Sequence, residues 1–267
     1  MKIIKQIPGS HNLVFIIEQH GNYFLQKTYI PHNQTLRSKI WRLFDYYKQY
    51  PFRCHVVEPK SIKESIQKEL LSYEAWSELG LTLPKFIKLE ERAIYFEYFP
   101  EAKSLEDLII DPNMKKTIFD KFLLIFEFLR KEAKKKQDHN IFHSDPKLAN
   151  FIYCSKRDVV CPIDSGYRFN QKLSFEQIDT YLLAELLNQI ATLNIHLSRK
   201  KKYLRMTKKI LDEKDIENVL SLNYMPPRIV FFFLNLRKGS ISLNSDFFLK
   251  KNSNFLNGGL IKNILLE

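Results

Sequence analysis

Apolar positions in the first 27 residues fall into short runs, KIIKQI, LVFIIE and YFLQK, separated by Pro8-Gly9-Ser10-His11-Asn12 and by His20-Gly21-Asn22. Short runs rich in β-branched and aromatic residues, bounded by turn formers, read as strands, and His-Gly-Asn between two of them is a hairpin signal. The pattern predicts three antiparallel strands, the third ending at Lys27. From Ser61 the period changes to that of a helix. Ser61 reads as its N-cap with Glu64 three residues on, and Gly80 supplies the stop after Leu79. At about 100° per residue, Ile62, Ile66, Tyr73 and Trp76 share one arc, and Glu69 falls in its middle. A carboxylate centred on a buried stripe requires a partner from elsewhere in the fold.

Beyond Gly80 the runs PKFIKLE and RAIYFEYF predict two more strands, followed by a helix around SLEDLII. A long amphipathic helix is predicted from about Met114 to Lys136, with Ile118, Phe122, Ile125, Phe126 and Leu129 on its apolar face. The stretches IFHSDPKLANFIYC and DVVCPIDSGYRF read as two short β-runs, each interrupted by a polar insert that carries an aspartate. From Leu173 the chain reads as mostly helical to about Leu220. The remainder reads as irregular, with Pro226-Pro227 and a late Gly258-Gly259. The outline is α+β, a β-rich start followed by a helical remainder.

Composition narrows the class without naming a function. With 267 residues, 45% hydrophobic and 27% charged, the chain can bury a core, which excludes disordered, collagen-like and disulfide-scaffold classes. Lys+Arg exceed Asp+Glu by 42 to 30, a net +12 that favours anionic partners: nucleotide phosphates, nucleic acid or a negatively charged leaflet. No recognised nucleic-acid-binding motif accompanies the charge, and no specific nucleic acid is expected. Cys54, Cys154 and Cys161 form an odd set without metal-type spacing, which reads as reduced, packed thiols in a cytoplasmic protein. No apolar run is long enough to span a bilayer, Ile229 to Leu234 included, and MKIIKQIPGS lacks a secretory signal core.

The two polar inserts carry the chemistry. The first is His143-Ser144-Asp145-Pro146-Lys147-Leu148-Ala149-Asn150. The second, Asp164-Ser165-Gly166, follows the apolar run Val159 to Ile163. Moving a phosphoryl group needs a carboxylate beside the attacking hydroxyl and hard oxygen ligands for Mg²⁺, which Asp145, Asn150 and Asp164 supply from loops leaving adjacent strands.

In order and spacing these inserts resemble the H-x-D-x-x-x-x-N catalytic loop and the D-x-G metal loop of the protein kinase-like superfamily. The resemblance implies a bilobal kinase-like fold: a small antiparallel β-sheet lobe with one key helix over residues 1–100, and a mostly helical lobe over 101–267 that carries both loops. The first lobe would contain helix 61–79 and an insert, 28–60. The resemblance also implies that Asp145 orients or deprotonates the acceptor hydroxyl, that Lys147 steadies the transferred phosphate, and that Asn150 and Asp164 hold Mg²⁺. Lys27 resembles the lysine that pairs the α- and β-phosphates of ATP, with Glu69 as its helix partner. Gly9 and Ser10 stand where the family has its glycine-rich phosphate loop. Phe96-Glu97-Tyr98-Phe99 resembles the hinge, with the backbone at Glu97 and Phe99 meeting adenine. ATP and Mg²⁺ are the implied cofactors. His143 is expected to brace its loop rather than to react.

Within the superfamily the chain resembles compact bacterial relatives, above all the lipopolysaccharide core (Kdo and heptose) kinases, together with aminoglycoside-type and small atypical protein kinases. The shared stretch is the helix with Glu69, then Gly80, then Pro84 opening a strand. No A-P-E segment follows Asp164-Ser165-Gly166. The reading is an ATP-dependent phosphotransferase acting on a sugar hydroxyl of the lipopolysaccharide inner core. Two alternatives stay open: an atypical Ser/Thr protein kinase, and a pseudokinase that binds nucleotide or a partner without chemistry. A glycan or glycolipid acceptor accounts for the basic segments 199–209 and 130–136, and for the Trp- and Tyr-rich stretch from Leu36 to Phe52, as contacts with an anionic membrane surface. The expected location is the cytoplasm, peripheral to the inner face of the cytoplasmic membrane.

Overall fold

A computed structural model describes residues 2–7, 12–30, 56–57, 59, 61–222 and 258–267. Gly9, Ser10, Cys54, most of the 28–60 insert with its Leu36 to Phe52 stretch, and the region containing Ile229 to Leu234 and Pro226-Pro227 lie outside the described residues.

The chain opens with three strands, β1 (Lys2–Ile7), β2 (Asn12–Gln19) and β3 (Asn22–Tyr29), paired antiparallel in sequence order. Their second turn is His20-Gly21, both at positive φ (52° and 77°), the mirror-image hairpin geometry that matches strand twist. Strand β3 runs to Tyr29 rather than stopping at Lys27. A two-residue strand β4 (Val56–Val57) precedes helix α1 (Ile62–Glu78), after which come β5 (Phe86–Glu90) and β6 (Ala93–Glu97). The five-stranded sheet has the order β1-β2-β3-β6-β5, so β6 pairs with β3 across the long intervening connection.

Helix α1 begins where its cap dictates: Ser61 Oγ accepts the Glu64 N–H at 3.1 Å. It ends before Gly80, whose φ of 76° is costly for any residue with a side chain. Ile66 of α1 packs with Tyr29, Ile94 and Phe96 of the sheet, and Trp76 joins the large core of the following elements.

Those elements are β7 (Lys103–Ser104), α2 (Leu105–Ile110), α3 (Lys116–Lys136), a 3₁₀ turn (Leu148–Asn150), the hairpin β8 (Phe151–Cys154) and β9 (Val159–Pro162), β10 (Arg168–Phe169), α4 (Phe175–Thr192), α5 (Leu197–Lys208), α6 (Glu213–Ser221) and α7 (Gly258–Leu266). Strand β10 pairs with β4, and β7-β8-β9 form a small sheet. The segment around His143, expected as a β-run, has no strand among its residues and reaches Asn150 as loop and 3₁₀ turn. The end of the chain was expected to be irregular, yet Gly258-Gly259 opens α7, which buries Ile261, Ile264 and Leu265 in the main core. Two glycines at its start, poor helix formers, gave little local signal there.

Phe119, Phe122 and Phe126 of α3 share that core with Phe151 and with Leu182, Leu183, Leu186 and Leu187 of α4. Inside it Arg130 forms ion pairs with Asp179 and, at 3.0 Å, with Asp215, while Lys134 reaches Asp179 at 2.6 Å. Burial would lower the Arg130 guanidinium, but Asp179 and Asp215 outweigh it and hold it above its ordinary value. Arg130 is therefore an internal strut, and the half-buried Lys134 is tied to the same buried carboxylate. Arg199 caps α2 by donating to the carbonyls of Ile109, Ile110 and Asp111, and Arg205 makes a two-pronged pair with Glu267 at 2.8 and 3.1 Å. Lys200, Lys201, Lys202, Lys208 and Lys209 remain as the cationic part of 199–209. Among the described residues no helix is long and apolar enough to cross a membrane.

Candidate active site

The site assembles at the junction of β3, α1 and the β8–β9 hairpin. The hairpin register Phe151↔Pro162 places Asn150, just before β8, opposite the residues that leave β9, and the Ile163 N–H donates to the Asn150 carbonyl at 2.9 Å. Asn150 and Asp164 thus sit at one end of one hairpin. Asp164 adopts φ 61°, a left-handed conformation unfavourable for a non-glycine residue and one that clusters at functional sites.

Lys27, near the end of β3, is buried, and its Nζ donates to Glu69 Oε2 at 2.6 Å and to Asp164 Oδ1 at 2.6 Å. The buried carboxylate on the apolar stripe of α1 has its partner, 42 residues away in the chain. Tyr29 donates its hydroxyl to the same Glu69 oxygen. Burial alone would lower the Lys27 ammonium, but Asp164 and Glu69 together hold it above the usual lysine range. Burial raises the Glu69 carboxyl, an effect that Lys27 opposes, while at Asp164 the pull of Lys27 overcomes burial and lowers the carboxyl. The Asp164 side chain remains 47% exposed, which leaves an ionised oxygen-bearing group accessible from outside.

The residues of the loop from His143 to Asn150 form a second knot. Asp145 is buried; its Oδ2 accepts from Lys147 Nζ at 2.7 Å and from Asn150 Nδ2 at 3.1 Å, and its carbonyl accepts from the same Asn150 amide at 2.9 Å. His143 braces this loop against the next. Its Nε2 lies 2.9 Å from the Ile163 carbonyl, and its Nδ1 accepts the Asp145 N–H at 3.3 Å, the pattern of a neutral ring protonated on Nε2. Burial lowers this imidazole to about 4. Trp76 and Phe151 pack against the ring.

Several supports were not legible beforehand. Ser165 Oγ accepts the Ser144 N–H at 3.1 Å and shares a hydrogen bond with Ser144 Oγ at 3.0 Å, so the residue after Asp164 ties the Asp164 loop to the Asp145 loop. Gln189 of α4 accepts the Leu148 N–H at 2.9 Å and lies 3.4 Å from the Pro146 carbonyl. Tyr29 carried only the signal of a tyrosine two residues beyond Lys27, on the same strand face.

At the proposed hinge, the Glu97 N–H donates to the Lys85 carbonyl at 2.8 Å, so a ligand contact at that residue falls to its carbonyl. The Glu97 carboxylate pairs with Arg157, which also lies 4.4 Å from the Phe99 ring centroid. Phe99 packs with the buried Cys154 and Cys161, and burial pushes the Cys161 thiol up to about 12.

The donor set suits a hard divalent cation. Asp164 offers a carboxylate, and Asn150, its amide nitrogen committed to Asp145, has its carbonyl oxygen left to give. Among the described residues no cluster of three or more His, Cys, Asp or Glu forms a metal cage. A carboxylate and an amide oxygen are hard donors of the kind Mg²⁺ takes when phosphates and water complete its shell.

No protein-family model matches the chain, and no curated protein matches it. Among solved structures, an ethanolamine kinase of Plasmodium vivax is similar over 97% of this chain and 80% of its own, with 12% identity and a TM-score of 0.42. The antiparallel N-terminal sheet, the helix laid against it and the helical remainder make this an α+β chain.

Proposed function

We propose that the chain is an ATP-dependent phosphotransferase that moves the γ-phosphoryl group of Mg-ATP to a hydroxyl. The observation that carries the reading is Lys27, whose single ammonium is held by Glu69 from α1 and by Asp164 from the metal loop. An ammonium fixed this way is poised to exchange one carboxylate for nucleotide phosphates while the other keeps it in place. Mg²⁺ at Asp164 and the Asn150 carbonyl would neutralise charge on the phosphates. Asp145 would accept or orient the acceptor hydroxyl proton, with Lys147 beside it for the transferred group. The chain would divide into lobes near residue 100, with adenine at the Glu97 carbonyl and at Phe99.

The acceptor we favour is a sugar of the lipopolysaccharide inner core, at the inner face of the cytoplasmic membrane. What supports it is the spacing of Glu69, Gly80 and Pro84 and the five lysines left on 199–209. Incubation with γ-labelled ATP and lipopolysaccharide core tests it: label in the glycolipid fraction is expected. Label in protein bands instead would indicate a Ser/Thr protein kinase. Mg-ATP binding with no transfer to any acceptor would indicate a pseudokinase.

A further inference from the structure

Helix α1 carries two buried charged residues in succession. Glu69 belongs to the site just described, whereas Lys68 has no part in it. The Lys68 Nζ donates to Asn140 Oδ1 at 2.7 Å and lies 5.4 Å from the centroid of the Phe169 ring. Asn140 leads into the catalytic loop through Ile141 and Phe142, and Phe169 follows the metal loop in β10. One ammonium therefore touches the approach to one loop and the exit from the other. Trp76 and Glu64 reinforce the same seam: Trp76 Nε1 donates to the Ile141 carbonyl at 2.8 Å, and Glu64 pairs with Arg168 at 2.8 Å. The charged neighbours of Lys68 are Asp138, which attracts it, and His139, which stacks on Phe175 at 4.0 Å and is itself lowered by burial and by Lys68.

Burial depresses the Lys68 ammonium to about 8 despite Asp138. A lysine whose folded value lies below its unfolded 10.5 binds its proton less tightly in the folded chain, so at neutral pH the charged form works against folding. An apolar side chain of similar length would fill the space without that cost. A destabilising charge next to a site residue calls for a functional reason.

We propose that Lys68 is a positioning residue whose ammonium ties α1 to the segments flanking both loops, and so fixes Glu69, and through it Lys27, for the nucleotide phosphates. The proposal rests on the phosphotransferase reading. It is tested by measuring the Mg-ATP dissociation constant by calorimetry from about pH 7 to 9, together with melting temperature, for the wild type, Lys68→Met and Asn140→Asp. Binding by the wild type is expected to weaken about five-fold or more through a step centred near the Lys68 value of about 8. Lys68→Met should bind weakly throughout, show no step, and melt no lower than the wild type. Asn140→Asp should move the step to higher pH, because a carboxylate favours the charged amine.

Wild-type affinity in Lys68→Met, or a flat wild-type profile, would overturn the proposal. A loss of affinity that merely tracks a lowered melting temperature would assign Lys68 to stability and overturn it too. Should Lys68→Met fail to fold, the wild-type and Asn140→Asp profiles decide. A wild type that binds no Mg-ATP at any pH would overturn the phosphotransferase reading, and this proposal with it.

Discussion

In the proposed reaction Asp145 and Lys27 play different parts, and substitutions should separate them. Asp145 is held by Lys147 and Asn150, whereas Lys27 is held by Glu69 and Asp164, so Asp145→Asn should leave Mg-ATP binding nearly intact. Transfer should fall by about 100-fold or more, the scale of a lost general base. Normal turnover in that variant would remove Asp145 from the mechanism. Lys27→Met instead strips the cation from a buried carboxylate and should cost about 3–5 kcal/mol in chemical denaturation, since an unpaired buried charge remains. Adding Glu69→Gln should restore part of that loss, because a neutral amide is cheaper to bury than an unpaired carboxylate; a double variant no more stable than the single would place the cost elsewhere.

Helix α4 acts on the site without touching the reacting groups. Through Gln189 it satisfies the Leu148 N–H in the 3₁₀ turn that carries Asn150. Gln189→Leu leaves that amide without its partner, at about 1–3 kcal/mol, and should slow transfer more than it weakens Mg-ATP binding. Equal effects on both would show that the loop is held by other means. Helices α3, α4 and α6 are joined by Arg130 with Asp179 and Asp215. Arg130→Met should lower stability by about 1–3 kcal/mol in urea unfolding, since the buried Asp179 then keeps only Lys134 as its ionic partner. A change near zero would mean that Lys134 alone neutralises Asp179.

For the whole molecule, acid is the revealing variable. His143 is buried, and its value falls from 6.5 to about 4 on folding. The unfolded chain therefore binds that proton more readily, and the contribution of His143 is fully present above about 6.5 and is lost as pH falls toward 4. A depression of about 2.5 units corresponds to about 3 kcal/mol, which unfolding curves from pH 7 down to pH 4 should show and which His143→Asn should largely remove. A variant with the same acid sensitivity as the wild type would assign the loss to other groups.

The sequence by itself determined what short-range chemistry controls. The hairpin at His20-Gly21, the cap at Ser61 and the stop at Gly80 follow from residues within a few positions of one another, and periodicity put Glu69 on the buried stripe. Motif spacing also marked Asp145, Asn150 and Asp164, because the β8–β9 hairpin between them is itself local. Only the tertiary structure decided which groups meet across long separations. Lys27 with Asp164, Lys68 with Asn140, Gln189 with Leu148 and Arg130 with Asp179 are each bonds between elements distant in sequence. No local pattern distinguishes a lysine or arginine that will be buried and paired from one that stays in water. For that reason the clusters at 130–136 and 199–209 read as surface charge, although Arg130 lies in the core and Arg199 caps a helix.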